Sequence, residues 1–191
     1  MCYYPLPAKY IEKMYEVCPE LVIVGKDPYP SAAMGIPFCK PSWTMMANQT
    51  ISGFHVLNSL GIDPVSHDKL APPEAIFMSL LDRGIVFLNA SYYFLGTGAK
   101  FRKRDRYHLH YLEDAYKVNQ PVLERSRRTL LCGQAKILCW YGKNIPNYEC
   151  VVHPTPVNRN SKIEQVSQGW ERIWAKDRLQ QQLSPTADPV L

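Results

Sequence analysis

Several signals are missing from this 191-residue sequence, and each absence removes a class of protein. No apolar run is long enough to span a bilayer, so no membrane association is expected. The first residues, Met1-Cys2-Tyr3-Tyr4-Pro5, lack the basic region and apolar stretch of a secretory signal. A cytoplasmic or nuclear location is therefore expected. Cys2, Cys18, Cys39, Cys132, Cys139 and Cys150 form no Cys-x-x-Cys pair, and no Cys/His spacing is that of a zinc site. They are expected to be reduced, mostly buried thiols; four thiolates converging on an iron–sulfur cluster is the alternative. No internal repeat is visible. The low-complexity stretch is the end, where Gln180-Gln181-Gln182 leads into a Pro-containing segment. Residues 181–191 are expected to form a flexible tail, and residues 1–180 a single domain.

What is present fits a globular chain. Hydrophobic residues make up 46% and charged residues 20%, too apolar a balance for disorder. The net charge of +5 is modest, but its distribution is uneven. Lys100 to Arg106 reads Lys-Phe-Arg-Lys-Arg-Asp-Arg, and Arg125, Arg127 and Arg128 form a second cluster. Such clusters suit a polyanionic partner and equally suit a solvated face.

Four short apolar runs predict buried strands: Leu21 to Val24, Ile85 to Leu88, Lys136 to Trp140 and Cys150 to His153. Helices are predicted over Ala8 to Cys18, within Thr44 to Leu60, over Pro73 to Asp82, and over Leu109 to Leu131 with an interruption at Pro121. Ile163, Val166, Trp170, Ile173 and Trp174 make the apolar stripe of a last helix. This alternation predicts an α/β fold: three layers, a central, mostly parallel four-stranded sheet with helices on both faces. Ligands in such folds sit beyond the carboxyl ends of the strands. There the sequence places Gly25-Lys26-Asp27-Pro28-Tyr29-Pro30, then Asn89-Ala90-Ser91, then His153-Pro154-Thr155-Pro156-Val157. Singly, an Asp-Pro, a strand-end Asn and a His-Pro are ordinary turn chemistry. Together, at three strand ends, they favour a site built from Asp27, Asn89 and His153.

These segments resemble the uracil-DNA glycosylases. Gly25 to Pro30 looks like that family's water-activating loop, Gly-Gln-Asp-Pro-Tyr-His. Gly35-Ile36-Pro37-Phe38 resembles the segment bearing the aromatic that stacks on uracil, and Lys40-Pro41-Ser42-Trp43 the proline-rich loop that compresses the DNA backbone. Gly84 to Ala90 is similar to the strand ending in the uracil-reading Asn. Leu138-Cys139-Trp140-Tyr141-Gly142-Lys143 looks like the Leu-Leu-Trp-Gly strand, and His153 to Val157 like the His-Pro-Ser-Pro-Leu loop that enters the duplex. The segments occur in family order over roughly residues 20 to 160. Lys26 and Pro30 stand where the family usually has Gln and His. Asp-Pro-Tyr-Pro followed by Gly-x-Pro-Phe is similar to the poxvirus members, so a viral chain acting in a host cell is compatible.

The resemblance implies a DNA glycosylase acting in base excision repair on uracil-containing DNA, as a monomer without metal or organic cofactor. Asp27 would stabilise the sugar cation and orient a water, and His153 would donate to uracil O2. Substrate would be held by backbone at Lys26, by Tyr29 against C5, by Phe38 stacking and by the Asn89 carboxamide. Pro41, Ser42, Pro154 and Thr155 would pinch the DNA backbone, Val157 would wedge into the gap, and Arg102, Lys103 and Arg104 would attract phosphates. Three alternatives stay open. One is a weak or silent glycosylase fold used as a DNA-binding module with a replication protein as partner. Another is a glycosylase for a different modified pyrimidine. A flavodoxin-like small-molecule binder is disfavoured, because no Gly-rich phosphate fingerprint follows the first strand.

Overall fold

A computed structural model describes residues 2–66, 70–96 and 106–154, with side chains from 109 onward in the last stretch. The apolar run at Leu21 forms β1 (Leu21–Gly25), and the run at Ile85 forms β2 (Ile85–Asn89). Two further strands, β3 (Thr129–Cys132) and β4 (Tyr148–Val151), complete a sheet of order β2-β1-β3-β4. Every pairing within this sheet is parallel, so the expected mostly parallel sheet is wholly parallel among the described residues; one isolated antiparallel bridge, Tyr3 to Tyr93, lies outside it. All residues of β1, β2 and β3 are buried, as strands covered on both faces must be.

Helices supply the outer layers: α1 (Ala8–Glu16), α2 (Trp43–Met46), α3 (Ser52–Ser59), α4 (Pro73–Asp82), α5 (Arg106–Leu123) and α6 (Ile137–Trp140). The chain steps from β1 to β2 on one side, then crosses back over β1 to β3. Right-handed crossovers in opposite directions put α4 and α5 on opposite faces. The reversal also creates a switch point between β1 and β3, the usual place for a ligand crevice.

The first helix does more than cover a face. Its fully buried Tyr10 hydroxyl accepts a hydrogen bond from Phe87 N (2.8 Å) and donates one to Phe87 O (3.2 Å). These are the outward backbone groups of edge strand β2. One phenol satisfies both and closes that edge to pairing with another chain.

Two expectations are corrected. Lys136 to Trp140 is helical: a 3-10 turn over Gly133–Lys136 runs into α6. The third strand lies earlier, at Thr129–Cys132, overlapping the end of the stretch expected to be helix up to Leu131. The preceding helix instead ends at Leu123, two residues after Pro121. The Leu-Leu-x-Gly pattern at a strand end is therefore met at Leu130-Leu131-Cys132-Gly133, not at Leu138 to Lys143. The thiols are all free, but Cys2, Cys18 and Cys150 are exposed, so burial is less general than expected. Among the described residues no helix is long and apolar enough to cross a membrane. The stripe from Ile163 to Trp174 and the tail after residue 180 lie outside them.

Candidate functional site

The carboxyl ends of the strands enclose a pocket lined by Gly25, Lys26, Asp27, Pro28, Tyr29, Phe38, Ser52, Asn89 and His153. Its volume is about 80 Å³, well below the roughly 300–1,000 Å³ of clefts that take larger ligands. A single small ring suits it better than a dinucleotide.

The sheet register sets this arrangement. Gly25 and Asn89 are paired residues at the ends of β1 and β2. The ladder continues past both strands, with Ala90 N donating to Gly25 O (2.8 Å) and Ser91 N to Lys26 O (3.0 Å). Lys26 and Asp27 are thereby held beside Asn89. A Cβ on Gly25 would lie 2.6 Å from Asn89 Oδ1 and 3.1 Å from Phe38 Cζ. Only a residue without a side chain lets the carboxamide and the ring approach each other across the strand end.

Asn89 is buried, at 3% exposure, and its main chain is anchored from α5. Asn119 Nδ2 donates to Asn89 O (2.8 Å), and Tyr92 donates to Asn119 Oδ1 (2.7 Å). Among the described residues the Asn89 carboxamide itself makes no hydrogen bond, and it borders the pocket. A buried amide of this kind offers one donor and one acceptor side to an occupant.

Asp27 is mostly buried. Its Oδ2 accepts from Leu95 N (3.1 Å) and lies 3.2 Å from Lys26 Nζ. The carboxylate is thus fixed in direction and carries a counter-charge from its neighbour in sequence. His153, half-buried, stands just past β4 and packs against Gly133. That glycine has φ +55°, and a Cβ there would come within 3.1 Å of His153 Cβ. The turn after β3 therefore leaves the room that the imidazole occupies.

Phe38 is a buried aromatic held at φ +66°, a conformation that costs a residue with a Cβ about 1–2 kcal/mol. Gly53 leaves the room this conformation needs, since a Cβ there would strike Phe38 O at 2.0 Å. Strain of this kind persists where the surroundings over-determine it. The ring meets Phe87 edge-on at 6.1 Å and presents itself to the pocket.

Tyr29 forms another wall. Its hydroxyl accepts from Gly53 N (2.8 Å) and shares a hydrogen bond with Ser52 Oγ (3.0 Å); Phe38 O, at 3.4 Å, is a long contact. Burial pushes the phenol up to about 12, against the opposing pull of Ser52 and Gly53. Lys40 Nζ lies over the Tyr29 ring at 4.0 Å and donates to Ser31 O (2.5 Å). Burial holds the Lys40 amine below its ordinary value.

Five of the six expected catalytic and substrate residues are expected to act through their side chains: Asp27, His153, Tyr29, Phe38 and Asn89. These line one pocket together with Lys26. Pro41 and Ser42 sit apart from its lining. Pro41 is exposed, and Ser42 caps α2, its hydroxyl accepting from Met45 N (3.3 Å). Pro154 is buried beside His153. Thr155, Val157, Arg102, Lys103 and Arg104 lie outside the described residues. Ser52 went unnoticed in the sequence, where nothing marks it; its place depends on α3 beginning against Tyr29. No protein-family model matches the sequence, and comparison with curated proteins returns no match.

Proposed function

We propose that the protein is a uracil-DNA glycosylase, hydrolysing the N-glycosidic bond of a flipped deoxyuridine in base excision repair. The observation that carries this reading is the meeting of Asp27, Asn89, Phe38 and His153 around one ring-sized pocket at the carboxyl ends of a parallel sheet.

Breaking the bond develops positive charge on the sugar and negative charge on the base. Asp27, fixed by Leu95 N, supplies the negative field for the sugar and orients the attacking water. His153 donates to O2 of the departing base. Asn89 donates to O4 and accepts from N3–H; cytosine presents the reverse pattern and is refused. Phe38 stacks on the ring, typically worth about 1–3 kcal/mol per base. The partner is uracil-containing DNA, and extrusion of the base is required because the bond is unreachable inside a duplex. The test is incubation with a single-stranded oligonucleotide carrying one uracil, followed by alkali. Cleavage at the uracil position is expected, and an intact strand contradicts the reading.

One observation favours a second reading. Lys26 Nζ stands 3.2 Å from the Asp27 carboxylate and partly neutralises it. A weak or silent DNA-binding module in replication would tolerate such a pair. It binds the same oligonucleotide without releasing uracil. A glycosylase for another modified pyrimidine instead releases that base in preference to uracil.

A further inference from the structure

We propose that Lys26 gives this pocket a second activity, cleavage of the DNA strand at the abasic sugar through an imine formed on its amine. The inference rests on the glycosylase reading, because that reading places the sugar C1′ against Asp27. Removing the base leaves C1′ as a hemiacetal in equilibrium with an open-chain aldehyde. A lysine amine is the side chain that condenses with carbonyls, given a neighbour to take its proton.

The pocket supplies both parts. Lys26 Nζ lies 3.2 Å from Asp27 Oδ2, and the Lys26 side chain is only 14% exposed. The ladder bond from Ser91 N to Lys26 O (3.0 Å) holds the lysine backbone at the strand end. A sugar carbon seated against Asp27 Oδ2 is therefore close to this amine. The same carboxylate serves as the proton store.

The step balances without an oxidant or a metal. Starting from its ammonium form, Lys26 Nζ gives one proton to Asp27, bonds to C1′ as the amine and passes a second proton to the carbonyl oxygen, forming a carbinolamine. That hydroxyl takes the proton back and leaves as water, giving the protonated imine. Asp27 then removes a proton from C2′. The electron pair moves toward the imine and expels the 3′ phosphate oxygen, breaking the C3′–O bond. Water hydrolyses the remaining imine and returns the Lys26 amine. The products are a 5′-phosphate end and an unsaturated aldehyde on the other fragment.

The experiment uses an oligonucleotide with a preformed abasic site, so it does not depend on uracil release. The full chain is incubated with it and sodium borohydride, which reduces the imine to a stable amine. A protein–DNA adduct is expected on a denaturing gel, with the peptide containing Lys26 as the modified one. Lys26→Arg keeps the positive charge beside Asp27 but lacks a condensing amine, so its adduct is lost. Lys26→Gln should lose it as well, and thermal unfolding confirms that each variant is folded. No adduct with the wild-type chain, or an adduct that survives in Lys26→Arg, overturns the proposal. Uracil release measured in parallel separates the two claims. Release without an adduct removes only the lyase, whereas an adduct without release removes the glycosylase reading and leaves the lysine chemistry standing.

Discussion

Gly25→Ala tests the geometry of the pocket with a single methyl group. The new Cβ would lie 2.6 Å from Asn89 Oδ1 and 3.1 Å from Phe38 Cζ. A contact below 3.0 Å is essentially never tolerated, so the carboxamide must retreat by about 0.4 Å or more. Phe38 has little room to give, and the carboxamide gives way by turning about its own side-chain bonds, away from the pocket geometry. Asn89 O is anchored by Asn119, and Phe38 is held at φ +66° against Gly53. Overpacking of this kind costs about 1–3 kcal/mol. For a chain of this size each kcal/mol lowers the melting temperature by about 2–4 °C. The functional loss should be larger than the loss of stability suggests. Misplacement by 1 Å costs about 10²-fold in rate, so a shift near half that should cost about tenfold or more. Single-turnover release of uracil, measured beside thermal unfolding, gives both numbers. A folded Gly25→Ala variant that releases uracil at the wild-type rate would refute the claim that Asn89 and Phe38 define the ring site.

Three other outcomes follow from the same structure. Tyr29→Ala should admit thymine and release it slowly from ordinary DNA, because this wall is the one expected against C5. It should also lose about 3 kcal/mol, through a cavity and an orphaned Gly53 N; complete rejection of thymine by a folded variant would mean another group guards that position. Lys40→Met should cost about 1–2 kcal/mol by removing the cation over Tyr29 and the donor to Ser31 O, read from urea unfolding; an unchanged midpoint would dismiss the contact as incidental. His55, buried in α3 with Nε2 on Gln49 O and Nδ1 unpartnered, is held by burial below its ordinary 6.5. The unfolded chain then binds the proton first, so stability is full above about 6.5 and falls as pH drops toward the folded value. His55→Gln keeps a donor for Gln49 O and should flatten that acid limb; an identical pH profile would assign the limb to other groups.

The parts of the fold that were legible in the sequence are those where a continuous apolar run met a clear stop. Leu21 to Val24 ends at Gly25, and Ile85 to Leu88 ends at Asn89; both strands appear within one residue of expectation. The third strand was hidden because Thr129–Cys132 is only four residues long and continues the apolar spacing of the helix before it. Its neighbour Ile137–Trp140 has the same length and apolarity but forms a helix. Four-residue apolar runs carry no period, so tertiary pairing decides between them. Gly133, at φ +55°, is the physical boundary that separates the two. The candidate site was legible in the same uneven way. Asp27, Asn89 and His153 were readable because a parallel sheet sends its strand ends to one edge. Ser52 and the cation of Lys40 act through long-range contacts to Tyr29, which no local pattern announces.

The proposed chemistry depends on Asp27 stabilising a sugar cation in this pocket. The single-turnover rate of uracil release from a single-stranded oligonucleotide, by the wild-type chain and by Asp27→Asn, decides whether it does. The amide keeps the shape and removes the charge. DNA binding should stay nearly intact while the rate falls by about 10²-fold or more. Equal rates in the two proteins, or no release by the wild-type chain, would contradict the account.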